Sequence, residues 1–277
     1  MQEQLPDNLT IIVQSTDGFS DCWEPFFTLF QKYWPTCHYP IILNTETKTF
    51  SHSNLNVRSS KIMKYSNSKW PTWSESLLLC LDLVETDIVL FMIDDFFVSR
   101  QVETEALHRF LQIMIEGDYS NITLTEHGCK RPTHVTANPL LLAVHPRAKY
   151  RVTTSPALWR KETLRSYLRA YENAWEFEIY GSRRAWKKPD PFFIANPDFL
   201  ENGTEGVIPY FQGTFDTGIV KGKWQPQIKA FFESHDIKVD YSVRGFYRPL
   251  PGILNKYFLF KSLISHPVPL IRSILGW

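Results

Sequence analysis

The sequence predicts an α/β protein on a Rossmann-like, mixed but mostly parallel sheet flanked by helices, and three observations predict it. Ile88-Val89-Leu90-Phe91-Met92-Ile93 is an unbroken apolar run, the pattern of a strand buried on both faces beneath helices. Residues 9–13 and 39–44 are further short apolar strands with a helical stripe between them, a β-α-β unit long enough for one right-handed crossover. The central run ends in Asp94-Asp95, then Phe96-Phe97. Carboxylates are costly to bury, so the pair belongs at an opening, and open α/β sheets bind ligands at the carboxyl ends of their strands. The competing explanation is that Asp95 merely caps a turn or the next helix.

The elements follow in order. After the first strand, Gln14-Ser15-Thr16-Asp17-Gly18-Phe19-Ser20-Asp21 is a small, polar loop in the ligand-facing position. Residues 22–34 carry Trp23, Phe26, Phe27, Phe30 and Tyr33 near helical spacing, with Pro35 closing the helix. A polar segment runs to Ser68. Thr72 and Glu75 then stand at capping-box spacing and open a helix bearing Leu77, Leu78, Leu81 and Val84.

Beyond the acid pair, residues 103–116 form an amphipathic helix stopped by Gly117. Residues 121–125 and 140–144 read as strands, 161–171 as a helix, and 226–234 as the last regular helix. Acids and bases crowd around aromatics in 173–191, while 208–224 is rich in glycine. No repeat, low-complexity tract or linker forces a domain boundary.

Composition narrows the function classes. With 43% hydrophobic and 21% charged residues the chain of 277 is an ordinary folded protein, large enough for a substantial core. Thirty basic against 29 acidic residues give a net charge of +1, which provides no field for gripping nucleic acid. Cys22, Cys37, Cys80 and Cys129 form no CxxC pair and no zinc spacing, so free thiols in a reducing compartment are expected. The N-terminal stretch is polar and no apolar span reaches membrane length, which predicts a cytoplasmic protein. Phosphate-loop, dinucleotide and serine-hydrolase signatures are absent.

Four segments, in this order, resemble bacterial glycosyltransferases of the GT-A type, those of polysaccharide and lipopolysaccharide synthesis. They are Thr16-Asp17-Gly18-Phe19-Ser20-Asp21-Cys22-Trp23-Glu24-Pro25-Phe26-Phe27, Asp94-Asp95-Phe96-Phe97, Ser155-Pro156-Ala157-Leu158-Trp159-Arg160 and Trp175-Glu176-Phe177-Glu178. The resemblance spans roughly residues 9–245. It implies a GT-A-like domain over 1–250, with a nucleotide-sugar half at about 1–120 and an acceptor half at about 121–250. It also implies an acid motif holding Mn²⁺ or Mg²⁺ on the donor diphosphate, with Asp95 as the metal ligand. Departing phosphates need a cation, and these ions suit one or two carboxylates plus phosphate oxygens.

The chain departs from the usual acid-any-acid pattern, because Ile93 stands where the first acid would be. Asp94 is therefore expected to meet ribose or a neighbouring amide. Lys221, Lys223 and Arg244 are candidates to offset phosphate charge should a metal be absent, a solvated basic loop being the alternative. Thr16 and Asp17 are donor-site candidates, against a plain Asp-Gly turn.

By the same resemblance the Trp-Glu-Phe-Glu element supplies the base for an inverting transfer, Glu178 first and Glu176 second; a helix start with acids at its dipole end is the alternative. Trp159 and Trp175 are candidate acceptor platforms, and Trp70 and Trp73 candidate stackers on a base or sugar, with core packing the competing explanation. The tail, 251–277, mixes bases with bulky apolar residues and has no acid. That suits an interfacial helix on the inner face of the cell membrane, or else docking on protein.

The reading is a transferase moving a sugar from a nucleotide-diphosphate donor to a saccharide or lipid-linked acceptor. A nucleotidyltransferase, or another metal-dependent phosphate-handling enzyme, and a non-catalytic carbohydrate-binding protein are the alternatives.

Overall fold

A computed structural model describes residues 8–126, 131–214 and 217–249. Its chain order is β1 (Leu9–Gln14), α1 (Ser20–Tyr33), β2 (Ile41–Leu43), β3 (Val57–Ser59), α2 (Trp73–Leu81), β4 (Ile88–Ile93), α3 (Thr104–Glu116), β5 (Asn121–Thr123), β6 (Thr133–Val135), β7 (Leu141–Val144) and β8 (Ala157–Arg160). There follow α4 (Lys161–Tyr167), α5 (Ala174–Ala185), β9 (Phe192–Ala195), β10 (Ile219–Val220), β11 (Lys223–Trp224) and α6 (Pro226–Glu233).

Among the described residues nine strands form one mixed sheet in the order β3-β2-β1-β4-β8-β5-β9-β7-β6. The first four are parallel neighbours, and β5 and β9 run the same way. Only β8 and β7 are antiparallel to their neighbours' common direction. The fold class expected from the sequence, a mixed and mostly parallel α/β sheet, is the one found.

Strand alternation sends successive side chains to opposite faces. Along β4, Ile88, Leu90 and Met92 join a core under α1, α3 and α6, while Val89 and Phe91 join a second core under α2, α4 and α5. Both faces are thus dry, which is why β4 reads as a continuous apolar run. Phe26, Phe27 and Phe30 of α1 are fully buried, each contributing on the order of 2–3 kcal/mol by leaving water.

Several local readings need correction. The helix expected over 161–171 stops at Tyr167, because Leu168 turns extended (φ −78°, ψ 147°). Two short strands, β3 and β6, lie where the sequence showed polar or mixed text, and a third, β9, is the apolar run that directly follows the charged stretch 173–191. Cys22, Cys37 and Cys80 are free thiols. The tail, 251–277, and Cys129 lie outside the described residues. Among the described residues no helix is long and apolar enough to cross a membrane.

Candidate active site

Because β2 and β3 extend from one side of β1 and β4 from the other, the strand order reverses between β1 and β4. Such a reversal leaves a crevice at the carboxyl ends of the two strands. Gln14 pairs with Ile93 as the last register partners, so Ser15 and Asp94 emerge side by side. A cleft of about 540 Å³ opens there, and its lining includes Ser15, Thr16, Asp94, Asp95, Glu178 and Trp175.

Asp94 is 2% exposed and accepts a short hydrogen bond from Ser15 Oγ, which itself accepts Trp23 Nε1–H at 2.6 Å. Burial, reinforced by the charge of Asp95, pushes its pKa far above the usual carboxylate range. Asp95 accepts Thr217 Oγ1–H at 2.5 Å, and burial raises it to about 6. Neither forms an ion pair among the described residues. Two adjacent carboxyls with no cationic partner are left to take up a proton or a cation that enters the cleft.

Thr217 can reach Asp95 because its neighbour is glycine. Gly218 N–H donates to the Asp95 carbonyl at 3.0 Å, and a Cβ on Gly218 would stand 2.3 Å from the Phe97 ring. The segment then makes the β10–β11 hairpin, whose turn residues Lys221 (φ 50°) and Gly222 (φ 75°) are both left-handed. That is the requirement of a two-residue turn between twisted strands, and it sets Lys221 at the cleft wall.

Glu178 comes from a different element. Asn173 and Glu176 form a reciprocal capping box that starts α5, and Glu178 follows in its first turns. Residues two apart on a helix diverge by about 200°. Glu176 therefore stays buried, its Oε2 accepting Asn173 N–H at 2.9 Å, while Glu178 lines the cleft. Glu178 Oε1 accepts Thr154 N–H at 2.8 Å and Thr154 Oγ1–H at 2.9 Å. Burial holds its pKa above the usual range against those bonds.

The structure brings Thr16, Asp94, Asp95, Lys221, Trp175 and Glu178 together in one cleft. It places the other expected site residues elsewhere. Asp17 is locked onto the backbone N–H groups of Glu46, Thr47 and Lys48, which is the work of a loop brace. Glu176 is a cap, as above. Trp159 is 1% exposed and packs against Phe192 and Tyr167, so it offers no face to an acceptor. Arg244 is taken up by Asp21, with Nε to Oδ2 at 2.7 Å, and lies over the Phe19 ring. Lys223 is exposed on β11 and Trp70 is 81% exposed, neither in the cleft lining.

Sequence reasoning missed Ser15, Thr154 and Thr217, the hydroxyls that hold the acids. Their one local signal is a Ser or Thr beside a strand end or in the run Thr153-Thr154-Ser155, too common to stand out. Trp73, expected as a stacker, does line the cleft, its ring packed on Phe177 and Phe91.

Among the described residues no group of three or more His, Cys, Asp or Glu side chains is placed to hold a metal ion. The donor set therefore amounts to Asp94 and Asp95, hard oxygen ligands without a cation of their own. That fits Mg²⁺ or Mn²⁺ completing its shell with water or phosphate oxygens, and does not fit an all-protein cage.

No family model matches the chain, and no curated protein matches it. Among solved structures it is similar to S. aureus TarS 1–349 in complex with UDP-GlcNAc, at 15% identity and TM-score 0.44 over 68% of this chain and 55% of that one. It is similar to M. tuberculosis glucosyl-3-phosphoglycerate synthase in complex with Mn²⁺ and UDP-glucose, at 11% identity and TM-score 0.41 over 65% and 64%. A 2-C-methyl-D-erythritol 4-phosphate cytidylyltransferase from Thermus thermophilus matches at 11% and 0.41 over 75% and 94%. The chain thus spans little more than half of TarS 1–349. Likeness at this level carries no chemistry.

Proposed function

We propose that this protein is a glycosyltransferase that moves a sugar from a nucleotide-diphosphate donor to a saccharide or lipid-linked acceptor, by inversion. The observation that carries this reading is the meeting in one cleft of an acid pair without an ion-pair partner at the strand switch point and a separate carboxylate on α5. A transfer of this kind needs both: charge management where a diphosphate leaves, and a base where a hydroxyl attacks.

In this reading Asp95, with Asp94 beside it, holds the divalent ion. When bound, that ion offsets the charge of the departing diphosphate. Thr16 and Ser15 contact the nucleotide, and Lys221 faces the phosphates. Glu178 accepts the proton of the acceptor hydroxyl, its second oxygen available while Oε1 is held by Thr154. Trp175, 38% exposed beside it, carries the acceptor ring. The resemblance of the four segments to envelope-polysaccharide enzymes supports that acceptor class and a place on the inner face of the membrane.

The test is protection against thermal unfolding by a panel of nucleotide sugars with and without Mn²⁺, followed by nucleotide release with saccharide acceptors. Donor protection that Mn²⁺ strengthens, with turnover lost in Glu178→Gln and Asp95→Asn, is expected. Activated sugar made from a sugar phosphate and a nucleoside triphosphate would instead identify a nucleotidyltransferase. Saccharide binding untouched by both substitutions, without turnover, would identify a binding protein.

A further inference from the structure

Between Glu46 and Glu75 the chain contains no acidic residue, yet it carries Lys61, Lys64 and Lys69 around Tyr65 and Trp70. The structure sets this stretch at a particular place. Ile62 N–H donates to the Thr45 carbonyl and Met63 N–H to that of Glu46, just past the end of β2. The segment therefore lies along the carboxyl edge of the sheet, the same edge on which the cleft opens. Trp73, three residues beyond Trp70, is already a cleft wall.

The side chains divide cleanly. Ile62 is fully buried and anchors a short helical turn, while Lys64, Tyr65, Lys69 and Trp70 are exposed. Tyr65 is 54% and Trp70 81% exposed, so two large rings stand on the surface of one short segment. Trp70 is not loose chain: Ser66 Oγ accepts Ser68 N–H at 3.0 Å, and Ser68 Oγ accepts Trp70 N–H at 3.2 Å. Lys69 Nζ stands 5.7 Å from the Trp70 ring. Two acids on the adjoining loop face inward, Glu46 onto Asp17 N–H and Asp17 onto the 46–48 backbone.

We infer that residues 61–70 are a docking surface for an anionic lipid bilayer. Trp and Tyr settle at the headgroup level, and each nearby lysine is drawn by the negative surface. A protein partner fits less well, since lysine is depleted at protein interfaces, and three lysines are too few for a nucleic-acid track. Docking by this edge turns the cleft mouth toward the membrane plane. For the transferase proposed above, on which only this last consequence rests, the acceptor is then lipid-anchored.

The experiment is co-sedimentation of the full chain with vesicles of phosphatidylcholine alone or with about one-third phosphatidylglycerol, without donor or acceptor. Binding to the anionic vesicles only, weakened by salt, is expected. Lys64→Glu/Lys69→Glu/Trp70→Ala should lower it about tenfold or more while leaving the unfolding temperature near that of the parent. Lys256→Glu/Lys261→Glu/Arg272→Glu in the tail is the comparison. Indifference of the parent chain to anionic lipid overturns the inference, as does undiminished binding by the loop variant, whether or not the tail variant loses it. Since no sugar transfer is read, failure here is separate from failure of the transferase reading.

Discussion

Among the described residues, carboxylates withdrawn from water meet different side chains inside and outside the cleft. Outside the cleft lining, Glu172 is 1% exposed and gripped by Arg184 through two 2.6 Å contacts, and the partly buried Glu126 takes Arg131 Nε at 2.6 Å. In the cleft, Asp94, Asp95 and Glu178 are held by Ser15, Thr217 and Thr154, with no ion pair among the described residues. A guanidinium cancels an acid's charge and fixes it in the architecture. A hydroxyl orients the acid without supplying a counter-charge, so the cleft acids stay available to a cation or a proton.

The sharpest break of that comparison is Glu178→Gln. The amide oxygen can still accept from Thr154, so the fold stays, but no proton can be taken. Turnover should fall by roughly a hundredfold to ten-thousandfold, read as nucleotide release at saturating donor. Burial raises the Glu178 pKa, so the acid limb of the parent's rate profile should lie above pH 4.5, the ordinary glutamate value. An unchanged rate in the variant would remove Glu178 from the chemistry.

Arg184→Met probes the other class. It strands Glu172 where α2, α4 and α5 meet, since Ser74 N–H donates to the Glu172 carbonyl and Arg184 Nη2 to that of Tyr167. A loss of roughly 3–5 kcal/mol is expected in denaturant unfolding. Thr154→Val, which removes only a hydroxyl from Glu178, should cost on the order of 1 kcal/mol. Equal losses would erase the distinction between the two classes.

Asp95→Asn should raise stability at neutral pH. A carboxyl whose pKa is higher folded than unfolded binds protons more tightly in the native state. Its contribution is complete below pH 3.8 and is lost as pH rises through about 6. Removing the charge should gain on the order of 1–2 kcal/mol at pH 7 and flatten the melting-temperature profile across that window. The same variant should lose the extra protection that Mn²⁺ confers with donor.

Much of this was legible in the sequence where one residue pattern has one physical cause. The run 88–93 followed by two acids announced a doubly buried strand with an opening at its end, and both proved correct in the structure. The spacing of Glu176 and Glu178 left two candidates, because the direction of a helix face depends on what packs against it. Arg244 and Asp17 were chemically suitable, but their partners lie far off in sequence, Asp21 for one and the 46–48 backbone for the other. Strand β6, with all three residues exposed, carries no apolar signal, and β9 hides its four buried residues behind a basic, proline-flanked approach.

The smallest expected effect separates two tryptophans that the sequence could not tell apart. Trp159 fills the core on β8, so shortening it destabilises the fold wherever the acceptor binds. Trp175 begins α5 beside Glu178 with 38% of its surface open, so its removal leaves few core contacts to lose. A sugar ring stacked on such a face gains about 1 kcal/mol. Trp175→Ala should therefore raise the acceptor KM about fivefold, leave donor protection intact and shift the unfolding temperature little. A rise in donor rather than acceptor KM would move Trp175 to the nucleotide side of the cleft and leave Glu178 without an acceptor platform next to it.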